Sequence, residues 1–302
     1  MLEKTIKKIV TCEGIGVHTG RQVLLTLHPA PEGFGIRFKR TDTVHGHTLI
    51  PALWNHVSGT RFSTSLANSD QISIGTVEHI MAALAACSID NILIEINGPE
   101  IPILDGSSSP FVQLIEKAGV AAQSKPKKFL RVLKKVTVEH KDTWAILEPN
   151  EKLNTLGLTY EFKSRHQTEW QTYSTQDVVK DFAKDLSAAR TFGFLEDAEA
   201  LRQNGLAQGA SLDNTVVFDG NRLLNDDGLR YEDECLRHKA LDVLGDLYLA
   251  GHALIGRFHG HLSGHSLNNQ LLKTLMSDPT AWTIDTPADQ YNRKTYQRAV
   301  AF

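Results

Sequence analysis

Arg237-His238-Lys239-Ala240-Leu241-Asp242 places an imidazole and a carboxylate four residues apart in a segment rich in helix formers. On a helix that spacing sets both side chains on one face, about one turn apart. Thr76-Val77-Glu78-His79-Ile80 offers a third donor, His79, beside an acid, Glu78. Two histidines and one aspartate can hold a metal ion and leave a position open for water. Adjacent side chains leave a helix in different directions, so Glu78 can approach that water without competing with His79 for the metal. The bland reading makes His238 and Asp242 a surface pair, Glu78 a charge at a helix start and His79 a half-buried polar residue. The chain lacks HExxH, the single-helix pattern of many zinc proteases.

A third segment, His259-Gly260-His261-Leu262-Ser263-Gly264-His265, holds three histidines in seven residues. Its glycines permit tight bends. His265 can give a proton to a departing amine; His259 and His261 read as substrate contacts or as solvated residues. Thr191 lies in Ala189-Arg190-Thr191-Phe192-Gly193-Phe194. Its hydroxyl can stabilise an oxyanion while the phenylalanines line an apolar channel; the plainer reading is helix termination and core packing. Gly14 to Gly20 is not a dinucleotide fingerprint, because the spacing does not fit GxGxxG entering a helix. Asp105-Gly106-Ser107-Ser108-Ser109-Pro110 reads as a loop entering a helix rather than a catalytic serine motif.

These residues need elements to hold them. Val23–Leu27 and Ile36–Phe38 read as strands, Thr76–Ala86 as a helix with a threonine cap, and Asn91–Ile96 as a strand ended by Asn97-Gly98-Pro99-Glu100. A helix follows Ser109-Pro110 to about Ala118. Residues 121–128 are polar, contain a proline and read as a boundary, giving domains of 1–124 and 125–302. Strands are expected at 129–138, 143–148 and 155–162, and helices within 175–191 and over about 232–249 and 267–275. This order predicts a two-domain α+β protein. No exact repeat is visible, although a repeated fold needs little sequence identity.

Composition narrows the function classes. The 302 residues are 41% hydrophobic and 22% charged, with a formal net charge of -3. That balance gives no basic surface for general nucleic-acid binding. Three cysteines without a CxxC pair disfavour a disulfide framework or a cysteine-rich zinc site. The N-terminus lacks a signal-like apolar core, and the apolar run at 80–89 is too short to span a bilayer. The expected location is cytoplasmic, with no transmembrane segment and no obligate protein partner.

Six blocks, in order along nearly the whole chain, resemble one family. They are GIGVHTG at 14–20, TVEHIMAAL at 76–84, LDGSSSPF at 104–111, RTFGF at 190–194, RHKALDVLGDL at 237–247 and SGHSLNN at 263–269. The chain resembles the LpxC family of zinc-dependent UDP-3-O-acyl-N-acetylglucosamine deacetylases. The resemblance implies two related α+β domains packed face to face, with helices between the sheets and a small insertion in each domain. Those insertions are expected near 40–60 and 194–217, the second forming a passage for a fatty acyl chain.

It further implies that His79, His238 and Asp242 bind Zn2+ and that Glu78 is the general base. Thr191 helps polarise the scissile carbonyl, Lys239 assists substrate binding or charge stabilisation, and His265 is the acid, charged or oriented by Asp246. Phe192 is expected beside the glucosamine, Phe162 on the nucleotide side, and Phe194, Leu206, Leu212 and Val216 along the acyl passage. The implied reaction hydrolyses the N-acetyl group of a UDP-linked, 3-O-acylated N-acetylglucosamine, releasing acetate in lipid A synthesis. A single carboxylate acting as both base and acid is a competing mechanism. Two other functions fit the residues: a metal-dependent amidase for another acylated amino sugar, and a non-enzymatic nucleotide-sugar binding protein. One position departs from the family: Leu262 stands where a lysine commonly precedes SGH, which removes a charge from the expected diphosphate contact.

Overall fold

The computed structural model describes residues 1–44, 46–150 and 154–289. Residues 290–302 of the expected second domain, and His45 within the expected first insertion, lie outside them.

The first half opens with β1 (Leu2–Ile6), β2 (Val10–Ile15), β3 (Gln22–Pro29), β4 (Ile36–Arg40) and β5 (Leu49–Pro51). Alternation along β3 turns Val23, Leu25 and Leu27 into the core, as the two-residue period of a one-sided sheet requires. A small sheet of β6 (Val57–Gly59), β7 (Ser65–Ala67) and β8 (Ser73–Ile74) follows. Then come α1 (Glu78–Ala86), β9 (Ile92–Ile96), α2 (Ser109–Ala118) and β10 (Val120–Pro126). The main sheet runs β2-β3-β9-β4-β5, and β10 turns back to pair with β1.

The second half contains β11 (Phe129–Val132), β12 (Val136–His140), β13 (Thr143–Glu148), β14 (Leu156–Phe162), β15 (Gln171–Thr175) and α3 (Val178–Asp185). An inserted unit holds β16 (Phe192–Phe194), α4 (Leu195–Gln203), β17 (Val216–Asp219) and β18 (Arg222–Leu223). The chain closes with α5 (Glu234–Tyr248), β19 (Ala253–His261), α6 (His265–Ser277) and β20 (Trp282–Asp285). The order β2-β3-β9-β4-β5 recurs as β12-β13-β19-β14-β15. In both, the late strand is antiparallel to the third and parallel to the fourth. The halves are therefore two copies of one topology, which the sequence does not display as a repeat.

Helices lie between the sheets. In α1 every residue from Glu78 to Ala85 is buried, so this helix is enclosed all round. It packs on α5, where Gly245 is the point of closest approach: a Cβ there would lie 2.0 Å from the Glu78 carbonyl oxygen. Ile80, Met81, Leu241, Leu244 and Leu247 join residues of both sheets in one continuous core. Each such side chain contributes on the order of 1.5–3 kcal/mol through burial.

Several boundaries differ from the sequence reading. Much of the polar stretch read as a boundary, 121–128, is itself a strand, β10. The strand expected over 129–138 is two strands, because the Leu133 and Lys134 N–H groups turn to the Ala281 carbonyl. The helix expected within 175–191 is α3, which ends at Asp185. Beyond it, the Arg190 N–H and guanidinium both bind Glu234, which draws the chain out of helix toward Thr191. The first inserted sheet spans 57–74 rather than 40–60, since β5 belongs to the main sheet. Thr76 does not cap α1; it sits at φ 57, outside the helix, with its hydroxyl donated to Glu100.

Candidate active site

The first turn of α1 meets the middle of α5 across the junction of the halves. There His79 Nε2 lies 3.7 Å from Asp242 Oδ1, and His238 Nε2 lies 3.4 Å from the same oxygen. The donor atoms of His79, His238 and Asp242 all lie within 4.8 Å of one another, and all three residues are buried. His238 Nδ1 faces the Ala189 carbonyl at 3.0 Å. A carbonyl only accepts, so Nδ1 carries the proton and Nε2 offers its lone pair to the cluster. Burial and the facing His238 push His79 down to about 3, and burial also lowers His238. Neutral imidazoles are the ligand form. Asp242 Oδ1 is buried and has no hydrogen-bond partner. A metal ion is the partner this oxygen lacks, so these residues fit one.

The other Asp242 oxygen accepts from Lys239 Nζ at 2.7 Å. Burial disfavours the Asp242 charge, but Lys239 and the surrounding histidines hold its pKa far below the ordinary carboxylate range. Lys239 in turn is raised above its ordinary value: burial opposes its charge, and Asp242 overrides that opposition.

Two proton-handling groups flank the triad. Glu78 Oε1 is 3.8 Å from His265 Nε2, and Glu78 Oε2 accepts from the Thr64 N–H at 3.0 Å. Burial drives the Glu78 carboxyl up to about 7, with Asp242 and Asp246 adding to the rise and His265 opposing it. His265 Nδ1 is 2.9 Å from Asp246 Oδ2. Burial works against a charged His265, yet Asp246 and Glu78 prevail and raise it to about 9. Asp246 is itself fixed by Thr64 Oγ1 at 2.6 Å and Asn268 Nδ2 at 2.8 Å. Both values are raised together, which leaves a carboxyl that exchanges its proton near neutral pH facing an imidazole that still holds one.

An apolar cavity of about 390 Å³ opens beside the cluster, with Thr191, Phe192 and Phe194 at its wall and Val17, Leu201 and Leu212 among its other lining groups. Phe192 joins it to the triad, its ring centroid 6.3 Å from that of His238. Thr191 is pinned by its N–H to the Gly106 carbonyl and by its own carbonyl to the Val216 N–H, both at 2.8 Å. The inserted β16-β17-β18 unit thus supplies much of the cavity, close to where the acyl passage was expected. Leu206 is not part of its lining; its neighbours Leu201 and Ala207 are. Val216 is fully buried beneath Phe218 and Cys235 rather than lining the cavity, while Val217 reaches it. Phe162 lies off the cavity and contacts Phe192 at 5.8 Å between centroids.

Of the histidine-rich segment only His265 enters the cluster. His259 and His261 lie on the outer face of β19, beside Glu148 at 3.4 Å and Glu161 at 2.8 Å. Residues the motifs did not single out also shape the site. Thr64 arrives from the first inserted sheet, an arrangement that no local spacing reveals. Glu100, which reads as part of a turn, is buried and accepts from the His18 and Thr19 N–H groups and the Thr19 and Thr76 hydroxyls. It ties the 14–20 loop, whose Val17 and His18 line the cavity, to the entry of α1. Asn268, one turn beyond His265, was visible only as motif sequence.

A duplicated sheet frame that turns three donor groups, a carboxyl and an imidazole onto one spot defines a metal-dependent hydrolase. The particular family follows from comparison with known proteins. A family model described as LpxC, UDP-3-O-acyl N-acetylglycosamine deacetylase, matches residues 3–277. UDP-3-O-acyl-N-acetylglucosamine deacetylases of Shewanella oneidensis and of Shewanella baltica strain OS155 are each 46% identical to it over 289 residues, covering 94% of this chain and 92% of theirs. The chain belongs to the LpxC family. Among the described residues, no helix is long and apolar enough to cross a membrane.

Proposed function

We propose that this chain hydrolyses the N-acetyl group of UDP-3-O-(3-hydroxyacyl)-N-acetylglucosamine, releasing acetate and the UDP-linked amine for lipid A synthesis. The observation that carries this reading is the His79–His238–Asp242 cluster, flanked by Glu78 and His265 and adjoined by an apolar cavity, in a chain of this family.

The metal is Zn2+. Two imidazole nitrogens and one carboxylate oxygen are a zinc donor set, and donors about 2.1 Å from one tetrahedral ion lie about 3.4 Å apart. The separations of 3.4 and 3.7 Å match that spacing. When bound, zinc polarises the scissile carbonyl and acidifies water.

The residues of the chain do the rest. Glu78 accepts the proton that the attacking water gives up. Its elevated pKa makes it a base that can pass the proton on. Thr191 and Lys239 stand where charge develops on the carbonyl oxygen and favour that charge. His265, kept protonated by Asp246, donates toward the leaving nitrogen. Phe192 packs against the sugar, Phe162 lies toward the nucleotide, and Phe194 and Leu212 contact the acyl chain in the cavity. The division between the two domains falls at about 124/125, within the last residues of β10, and the enzyme works in the cytoplasm.

The test is to incubate the protein with UDP-3-O-(3-hydroxyacyl)-N-acetylglucosamine and follow free amine and acetate by mass spectrometry, with UDP-N-acetylglucosamine alongside. The reading predicts equal amounts of both products and much faster turnover of the acylated sugar. Turnover only of an acylated amino sugar without UDP would instead favour a different amidase, and UDP-sugar binding without products a non-enzymatic binder.

A further inference from the structure

We infer that the 14–20 loop is a strap drawn over the apolar cavity, and that Glu100 is the positioning residue that holds it close enough to grip the acyl chain of the substrate. This inference rests on the substrate reading above and names what sets how firmly that substrate is held.

Glu100 is 2% exposed, and no lysine or arginine forms an ion pair with it among the described residues. Its Oε1 accepts from the His18 N–H and the Thr76 hydroxyl, both at 2.9 Å. Its Oε2 accepts from the Thr19 N–H at 2.8 Å and the Thr19 hydroxyl at 2.7 Å. Three of these four donors belong to the loop. Gly16 leaves the carboxylate its room, since a Cβ there would overlap Glu100 Oε2. A carboxylate out of water and without a cation needs its hydrogen bonds complete, so Glu100 fixes the loop backbone at 18–19.

The other side of the loop closes on the stretch between α4 and β17, in the inserted unit of the second half. The Gln208 N–H donates to the His18 carbonyl at 3.1 Å, and the Gly209 N–H to the Val17 carbonyl at 3.0 Å. A Cβ on Gly209 would overlap the Gly16 carbonyl oxygen, so the two backbones meet with no side chain between them. Val17 and His18 on one side of this seam, and Ala207 and Ala210 on the other, all line the cavity. The seam is therefore part of the cavity wall. Two backbone bonds are a weak closure by themselves. What keeps the loop within their reach is its anchor on Glu100.

Glu100→Gln tests the anchor at constant shape. Each carboxylate oxygen accepts one backbone N–H. An amide turns its NH2 on one of these N–H groups whichever way it is flipped, and a backbone N–H cannot reverse its role. The Thr76 hydroxyl can reverse, so the entry of α1, and with it His79, is spared. The loop then stands off from the inserted unit, and Val17 leaves the cavity wall. Losing a valine-sized apolar contact weakens binding by about 10- to 100-fold. A sugar without the long chain has no such contact to lose.

The experiment compares the full chain with Glu100→Gln and Gly209→Ala, the second of which wedges the seam from its other side. Two substrates are used: UDP-3-O-(3-hydroxydodecanoyl)-N-acetylglucosamine and its 3-O-acetyl analogue. Both variants should keep stoichiometric zinc and raise the KM for the long-chain substrate by about 10- to 100-fold, with a smaller change in kcat. The KM for the 3-O-acetyl analogue should stay near that of the wild type. Amide hydrogen exchange at 208 and 209 should quicken by about tenfold as the seam opens. If Glu100→Gln does not fold, Gly209→Ala decides by the same readings. A folded variant with wild-type KM for the long chain, or with an equal rise for both substrates, overturns the strap and leaves the substrate reading standing. If the wild-type protein releases no acetate from either sugar, the substrate reading fails. Faster exchange at 208 and 209 in Glu100→Gln would then still uphold the strap, and unchanged exchange would overturn it.

Discussion

Gly245→Ala is a change of one methyl group that should disable the site without touching a catalytic side chain. Gly245 lies in α5, one residue before Asp246 and three after Asp242. A Cβ there would stand 2.0 Å from the Glu78 oxygen, 2.8 Å from its carbonyl carbon and 3.1 Å from its Cα. Contacts below 3.0 Å are not tolerated, so α1 must retreat from α5 by about 1 Å. His79 rides on α1, while His238 and Asp242 both ride on α5. The His238–Asp242 spacing of 3.4 Å therefore survives, but the His79–Asp242 spacing grows from 3.7 Å to about 4.7 Å. Two donors about 2.1 Å from one ion cannot be that far apart. Overpacking also costs about 1–3 kcal/mol, partly offset by about 1 kcal/mol of helix propensity gained. The protein should thus fold with a slightly lower Tm, bind zinc at least about tenfold more weakly and turn over about 100-fold more slowly, the penalty of a 1 Å misplacement. Calorimetric zinc titration and acetate release read both effects on one preparation. Wild-type zinc affinity and kcat in folded Gly245→Ala would refute the argument that helix contact sets the metal geometry.

Glu78→Gln should keep stoichiometric zinc and lose about 10²- to 10⁴-fold in kcat, measured by metal analysis beside turnover; loss of zinc from the folded variant would make Glu78 a ligand. Asp242→Ala should do the reverse, emptying the site of metal and leaving the Lys239 charge unpaired. The pH–rate profile should be bell-shaped. Glu78 works deprotonated, so rate falls as pH drops through its pKa of about 7; His265 works protonated, so rate falls as pH rises through its pKa of about 9. A bound dication lowers both, which sets these values as upper limits for the two limbs. His265→Ala should depress kcat and remove the basic limb, and an unchanged profile would take His265 out of the acid role.

Much of the site was legible because it is written locally. His238, Asp242 and Asp246 repeat at helical spacing on α5, and Glu78-His79 opens α1, so one-turn geometry and motif order suffice to bring them to notice. What was not legible depends on the tertiary frame. Thr64 reaches Glu78 and Asp246 only because the first inserted sheet folds back over α1. Glu100 reads as a turn residue, yet its four donors come from segments about 80 and 24 residues distant. The helix expected within 175–191 is there as α3, but its end was not legible, because it depends on the buried Arg190–Glu234 pair, whose 2.8 Å contact holds the following segment out of helix. The duplicated topology is likewise carried by strand pairing, not by identity between halves. Leu206 has the right character for the cavity, but character alone does not say which way a side chain points.

The account turns on a metal ion held by His79, His238 and Asp242. Metal-stripped protein titrated with zinc, with acetate release from UDP-3-O-(3-hydroxyacyl)-N-acetylglucosamine followed at each addition, tests that claim most directly. The account predicts negligible release without metal and a rise that levels off at one zinc per chain. Full turnover by the stripped protein, or none by folded protein carrying one zinc, would contradict it.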